Sequence, residues 1–273
     1  MKKTLYLLII FASLSYYFYS VNSWRGADYF RVIFFDVGQG DSALIVTPSG
    51  QTILIDGGPD ARVLKELGKV LPFWLRSLDL VVLTHAHDDH LAGLIQVLNR
   101  YHVKQILVGA YNNETPLTKA WQDRLVKSKS IVIQAEPRML FNFSSNCVLE
   151  ILTANQQASD ENDLSVVSVF SCLGKTIYLS GDASSKIEKN IESKSVDIYK
   201  VSHHGSVTAN SEEFLRMLNP KLVVISVGIN NKFSHPSPMV INRLLTLPVN
   251  IFRTDEQGSL YFLANNKTII WNK

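Results

Sequence analysis

The tightest constraint on this chain's fold lies in residues 80–98. An apolar run, Leu80-Val81-Val82-Leu83, ends at Thr84 and meets His85-Ala86-His87-Asp88-Asp89-His90, and an amphipathic run follows from Leu91 to Leu98. The first run reads as a short buried strand and the last as a helix, so the polar residues occupy a strand-to-helix turn. Three of the seven histidines lie in that turn. His85 and His87, two positions apart, can converge on one ion. Asp89 and His90, at the helix start, can reach a second ion beside it. Imidazole and carboxylate ligands suit zinc, manganese or iron, and residues of the same kind recur further along the chain.

A chain of 273 residues, 46% of them apolar, suits one large α/β domain with a short appendage. Net charge is +3 and the pI about 8.7. This is well short of a nucleic-acid-binding tail; it permits an anionic substrate without demanding one. Cys147 and Cys172 have no metal-ligand spacing. Each lies in an apolar run that reads as a strand, so buried thiols are expected. A disulfide between neighbouring strands is the alternative if the domain lies outside the cytoplasm.

Residues 1–24 differ in kind. Met1-Lys2-Lys3 is basic, and Thr4 to Val21 is apolar or aromatic apart from Ser and Thr. That length is near the minimum for a membrane span, and Tyr16-Tyr17-Phe18-Tyr19 has the character of an interfacial aromatic belt. Residues 1–24 are expected to be a membrane anchor, single-pass, with the remainder extracytoplasmic. Secretion after signal cleavage near Val21-Asn22-Ser23 is the alternative.

The remainder reads as alternating strands and helices. Strands over 31–35, 43–47 and 52–55, joined by short turns, predict an antiparallel meander. The first ends in Gly38-Gln39-Gly40-Asp41, a tight turn whose glycines allow close backbone approach, and the third in Asp56-Gly57-Gly58. Helices are expected over 61–71, 116–126, 183–191 and 211–218. Further strands are expected over 104–108, 129–134, 147–152, 166–170, 176–179, 196–201, 222–226, 249–253, 258–262 and 269–271. Ser180-Gly181-Asp182 and Ser202-His203-His204-Gly205-Ser206 each follow one of these strands.

The His85-x-His87-x-Asp89-His90 pattern resembles the HxHxDH signature of the metallo-β-lactamase superfamily of two-metal hydrolases. FFDVGQGDSALIV with TILIDGG, then LSGD, VSHHGS and the segment from Val227-Gly228 to His235-Pro236, narrow the resemblance. They resemble the metallo-β-lactamase domain of ComEC-type DNA-internalisation competence proteins, from about Val32 to Trp271. The resemblance implies an αββα sandwich over residues 30–273, two sheets face to face with helices outside, preceded by the apolar helix. It implies two divalent metal ions, Zn or Mn, held by His85, His87, Asp89, His90, Asp182 and His203. Asp182 would bridge them, since a carboxylate offers one oxygen to each ion, and Asp56 would hydrogen-bond the metal shell.

Most members of the superfamily place a third histidine where this chain has Asn162 and Ser165, an Asn-x-x-Ser pattern similar to the ComEC type. An amide oxygen is a weaker zinc ligand, which tilts the expectation toward manganese or a loosely held ion. Asn162 is either that ligand or a turn residue. Neighbouring residues at a strand end face opposite sides. His203 is therefore expected to close the second site and His204 to lie beside it as a catalytic group near substrate, with the reverse assignment open. Ser206 and the amides around Gly205 are placed to meet a phosphate oxygen. Asp89 would orient the attacking hydroxide and take its proton, and His235 would contact substrate or protonate the leaving oxygen.

The function expected from the resemblance is an exported phosphodiesterase, a DNA nuclease tied to DNA uptake. Its partners would be DNA or another phosphodiester, the membrane through the N-terminal segment, and a separate DNA-channel protein, because ComEC-type proteins carry a multi-span channel region besides this domain. Two rivals stand beside it. One is a hydrolase of another ester, such as a phosphocholine or nucleotide ester. The other is a DNA-binding module that does not cut, which the missing third histidine favours and the other ligands oppose.

Overall fold

The computed structural model of the chain describes residues 2–24, 28–112, 114–144, 146–192 and 194–272. The chain runs through α1 (Lys2–Trp24), β1 (Phe30–Phe34), β2 (Ala43–Val46), β3 (Thr52–Ile55), α2 (Arg62–Val70), β4 (Ser77–Leu83), α3 (Asp88–Arg100), β5 (His102–Val108), α4 (Pro116–Ser128) and β6 (Ile131–Gln134). It continues through β7 (Leu140–Phe143), β8 (Cys147–Thr153), β9 (Val167–Cys172), β10 (Lys175–Leu179), α5 (Ser185–Glu188), β11 (Ile198–Lys200), α6 (Glu212–Leu218) and β12 (Leu222–Ile225). The last elements are α7 (Pro238–Leu245), β13 (Asn250–Arg253), α8 (Thr254–Gln257), β14 (Leu260–Ala264) and β15 (Ile269–Asn272).

Two sheets form, of eight strands in the order β15-β14-β1-β2-β3-β4-β5-β6 and seven in the order β13-β12-β11-β10-β9-β8-β7. β1, β2 and β3 are the expected antiparallel meander. From β3 to β6 the pairing turns parallel, with α2, α3 and α4 as crossovers. The second sheet repeats the scheme: β7 to β10 are antiparallel, and β10 to β13 are parallel. Parallel strands covered on both faces need uninterrupted apolar runs, which is why Leu80 to Leu83 and Leu222 to Ile225 do not alternate.

The sheets bury Phe34, Ile45, Val82, Phe170, Ile198 and Phe262 between them. Leu67, Leu94 and Trp121 fix helices α2, α3 and α4 to the outer face of the first sheet. Phe214, Leu218, Val240 and Leu244 fix α6 and α7 to the second, over Tyr178 and Tyr199. The layers are therefore helix, sheet, sheet, helix, as expected. Each such side chain, fully buried, is worth about 1.5–3 kcal/mol. Cys147 and Cys172 sit in this core on opposed positions of β8 and β9, Cα atoms 4.2 Å apart, and are joined in a disulfide.

Among the described residues no helix is long and apolar enough to cross a membrane. This overturns the expected single-pass anchor, and the extracytoplasmic placement that rested on it. Helix α1 forms over Lys2–Trp24. Hydroxyls on Thr4, Tyr6, Ser13, Ser15, Tyr16 and Tyr17 break its apolar surface. The side chains of residues 18–23 lie outside those described, and with them part of the expected aromatic belt and the expected cleavage site. At the helix end Trp24 is buried, donates to the Gly50 carbonyl at 3.3 Å and carries the Arg31 guanidinium over its ring.

Helix α3 starts at Asp88, earlier than the apolar pattern suggests. Asp88 and Asp89 in its first turn favour the positive end of the helix dipole. The helix packs backbone to backbone on the turn after β3: Gly57 N–H donates to the His90 carbonyl at 2.8 Å, and Gly93 N–H to Gly58 at 2.9 Å. A Cβ on Gly93 would lie 1.8 Å from the Gly57 carbonyl oxygen, whereas one on Gly68, in α2, would meet nothing within 4 Å. Gly93→Ala is therefore expected to destabilise the fold by about 1–3 kcal/mol or more, and Gly68→Ala to stabilise it by about 0.5–1 kcal/mol. Urea unfolding midpoints of the two variants check both signs.

Candidate metal centre

Most candidate residues leave the sandwich beyond the carboxyl end of a parallel strand. Asp56 follows β3, His85 to His90 follow β4, Asp182 follows β10, His203 and His204 follow β11, and His235 lies in the loop after β12. Parallel pairing puts these ends on one edge, where open α/β sheets collect ligands.

Asp182 is the centre. Its Oδ2 lies 4.0 Å from His85 Nε2, 3.4 Å from His90 Nε2, 3.8 Å from His203 Nε2 and 3.5 Å from His204 Nε2. The opposite nitrogen of each ring is already engaged. His90 Nδ1 donates to Asp56 Oδ2 at 2.8 Å and His204 Nδ1 to the Ser226 carbonyl at 2.8 Å. His85 Nδ1 lies 3.1 Å from the Thr84 hydroxyl, and His203 Nδ1 3.2 Å from that of Thr208. A bond at Nδ1 fixes the ring and its tautomer and leaves the Nε2 lone pair to face the centre.

The donor set fits a divalent cation. Asp41 Oδ1, His90 Nε2, Asp182 Oδ1 and His204 Nε2 are buried without a hydrogen-bond partner, in a class of atoms of which the large majority is bonded. Among the described residues, ligand atoms lie within 4.8 Å of one another in each of four groups: His85, His90 and Asp182; Asp89, His90 and His204; Asp41, Asp56 and His90; and Asp41, Asp182 and His204. Imidazole nitrogen and carboxylate oxygen suit zinc, manganese and iron alike.

The charges are strongly coupled. Burial opposes charge on His90, yet the Asp182 and Asp56 carboxylates outweigh it and hold the imidazole well above its ordinary range. Burial likewise opposes His204, and Asp182 and Asp41 raise it to about 10. Burial of Asp182 is outweighed by His204 and His90, which keep it well below the usual carboxylate range. His85 is pushed well down, by burial and then by the neighbouring His90. These shifts describe a pocket whose carboxylates require compensating positive charge.

His203 and His204 do not sit at the end of a strand. They lie in a 3₁₀ turn, Ser202–Gly205, with φ of 49° and 53°. Left-handed backbone costs about 1–2 kcal/mol at each non-glycine residue. It replaces the side-to-side alternation of a strand, and so both rings approach Asp182. His204 is buried and sits in two of the compact groups, while His203 lies on the cleft wall.

The other candidates take these places. His87 Nδ1 is 3.1 Å from His85 Nε2, and its Nε2 is 3.2 Å from Glu161. Asn162, in the turn Glu161–Leu164, donates to Asp160 and leaves its Oδ1 buried without a partner. Ser165 Oγ accepts from Asp182 N–H at 3.1 Å and lies 3.4 Å from His85 Nδ1. Gly205 presses on Pro236, and the Ser206 hydroxyl is 3.0 Å from that of Thr208. His235 stacks on Phe233 and meets the His203 ring at a centroid distance of 5.7 Å.

Asp41 and Lys200 have no place in the sequence-based site. Asp41 is buried 3.4 Å from His204 and 4.0 Å from His90, and is paired with Lys200. Lys200 Nζ also donates to the Gly181 carbonyl at 3.3 Å. The readable signal was polarity out of place, a lysine inside the apolar run 198–201 and a carboxylate beside Gly40. A cleft of about 280 Å³ opens over the centre, lined by Gln39, Asp89, Asp182, His203, His204 and His235 among others.

Comparison with known proteins agrees with this geometry. Residues 35–154 match the metallo-β-lactamase superfamily. The chain is 27% identical over 255 residues to ComE operon protein 3 of Bacillus subtilis, taking in 85% of this chain and 33% of that protein. It is 25% identical over 240 residues to Competence protein ComA of Neisseria gonorrhoeae, taking in 85% of this chain and 32% of that one. The chain thus spans about a third of the length of these relatives. The metallo-β-lactamase fold protein YhfI from Bacillus subtilis superposes with a TM-score of 0.59 at 12% identity, covering 90% of this chain and 100% of YhfI.

Asp182 and Asp56 separate cleanly by experiment. Asp182→Ala removes the oxygen on which four histidines converge, and bound Mn²⁺ or Zn²⁺ is expected to fall at the whole centre. Asp56→Ala only frees His90 and Thr84, and metal affinity is expected to weaken by about 10–100-fold. Metal content after dialysis and calorimetric titration with Mn²⁺ test this; equal loss in the two variants would contradict it.

Proposed function

We propose that this chain, a metallo-β-lactamase-fold protein related to the competence proteins, is a metal-dependent hydrolase of phosphodiester bonds whose substrate is DNA, with residues 30–273 as the catalytic unit. The observation that carries the reading is the convergence of four imidazole Nε2 atoms on one buried carboxylate oxygen at the floor of an open cleft. The name of the Neisseria relative supports DNA over other esters.

In this reading His85, His87 and Asp182 would hold one ion, and Asp89, His90, Asp182 and His204 the other. Such ions lower the pKa of a bound water and steady the negative charge that develops on phosphate. The chain's own groups do the rest. Asp89 faces the cleft, with His204 Nε2 3.3 Å from its Oδ2. Burial works against its charge, but the nearby His204 and His90 keep it ionised. It orients the attacking water and takes its proton. The water oxygen forms the new bond to phosphorus, and the bond from phosphorus to the leaving sugar oxygen breaks. His203 and His235 line the wall where the diester enters, and the leaving oxygen takes its proton from His235 or from bulk water.

Asp89→Asn keeps the size and an amide oxygen but cannot accept a proton at neutral pH. It is expected to bind DNA as the parent does and to cut it about 100-fold more slowly or worse, within the range of about 10²–10⁴ for a placed proton acceptor. The measurements are cleavage rate, DNA affinity and metal content of full-length parent and variant, with Mn²⁺ or Zn²⁺, on single- and double-stranded DNA. A parent that binds DNA but cuts no phosphodiester would replace this reading with that of a binding module.

A further inference from the structure

We infer that Gln39 is a fixed hydrogen-bond donor to a non-bridging oxygen of the substrate phosphate. The inference rests on the phosphodiesterase reading above.

Gln39 is the middle residue of Gly38-Gln39-Gly40, and it lines the same cleft as Asp89, Asp182, His203, His204 and His235. Its amide is oriented by the protein. Gln39 Oε1 accepts a hydrogen bond from the Gly228 N–H at 3.2 Å. The reversed amide would put two donors face to face, so the assignment of oxygen and nitrogen is forced. The side-chain NH₂ is then left on the other side, and Gln39 Nε2 is buried without a hydrogen-bond partner. An unpaired buried donor costs about 1–3 kcal/mol. A cost of that size on a cleft wall is recovered when an acceptor arrives, and beside a metal centre that acceptor is an anionic oxygen.

The backbone of the turn is held on both sides. A Cβ on Gly228 would lie 2.4 Å from Gln39 N, and one on Gly40 would lie 2.3 Å from the Asp89 carbonyl oxygen. Asp41 N–H donates to that same carbonyl at 3.1 Å. Gln39 is thereby tied to Asp89, the group that handles the attacking water, and to the loop that leads to His235. Fixed donors aimed at developing negative charge need no rearrangement during reaction, which is where such groups gain their effect.

The test uses the full-length chain loaded with Mn²⁺ and two variants. Gln39→Glu keeps an acceptor for Gly228 N–H but loses the donor; Gln39→Ala loses both. Bound metal of Gln39→Ala is expected to match the parent, because Gln39 lies in none of the ligand groups. The affinity of both variants for inorganic phosphate is expected to fall about tenfold or more, and their kcat on a DNA oligonucleotide about 100-fold. A Gln39→Glu protein with parental phosphate affinity and kcat would overturn the inference and leave Gln39 as a clamp on Gly228. A parent that binds phosphate but cuts no DNA would sink the nuclease reading alone. In that case parental phosphate affinity in both variants overturns the inference, and weakened affinity in both upholds an anion donor.

Discussion

The architecture of the site depends on one buried carboxylate. Asp56 accepts from Thr84 N–H at 2.8 Å, from the Thr84 hydroxyl at 2.7 Å and from His90 Nδ1 at 2.8 Å. Those bonds tie the end of β3 to the end of β4 and to the first turn of α3. A buried carboxylate that lost them would carry its full desolvation cost, so the three elements are held in one arrangement. Burial pushes the Asp56 carboxyl up, against the pull of His90. Asp56 takes φ of 56° to reach this position, and the glycines after it let α3 lie directly on the turn. The imidazole of His90 is thus aimed by the same contacts that close the sandwich edge, and stability and site geometry share one set of bonds.

Topology explains why residues so far apart in sequence meet. Both halves of the chain begin with antiparallel strands and switch to parallel ones, and the two parallel runs face each other across the core. Each half therefore exports polar residues from the carboxyl ends of its parallel strands to the same edge. The first half supplies Asp56 and the histidine turn in this way, and Asp41 from the turn between the antiparallel strands β1 and β2. The second supplies Asp182, Lys200, the paired histidines and His235. Neither half holds a complete set, so the candidate centre is assembled only when the sheets are packed.

What could be read in advance follows the same division. Ligand type and spacing around His85 to His90 were legible because strand, turn and helix are local signals. Asp182, His203 and His204 were legible because each follows an apolar run directly. The short helix α7 and the edge strand β7 escaped notice, since Pro238 to Leu245 is brief and Leu140 to Phe143 lies at the rim with half its residues exposed. Helix α1 misled in the other direction: its apolar composition resembled a span, but hydroxyl-bearing residues interrupt its exposed surface. The disulfide needed the register of β8 against β9, which no single segment contains. The turn that brings both His203 and His204 to Asp182 needed left-handed backbone, which the sequence pattern of two ordinary histidines does not announce.

The pocket's charge balance ties these pieces to function. Asp41, Asp56, Asp89 and Asp182 share a small volume with one ammonium group, that of Lys200. Lys200 sits on the Asp41 side, with its Nζ 3.9 Å from Asp182 Oδ1, and so leaves the Oδ2 side of Asp182 to the histidines. Nearby opposite charge is what holds Asp41 low against the cost of burial, with Lys200 the larger contribution and His204 the next. The remaining carboxylate charge falls to His90 and His204, which burial alone would keep neutral. Cations held at the Nε2 side would relieve the imidazoles of that task, because they would supply the positive charge and use the lone pairs that the Asp56 and Ser226 hydrogen bonds leave exposed. The same hydrogen bonds thus orient the rings and set their tautomer, and with the excess of buried carboxylate a bound cation would support folding as folding supports its site.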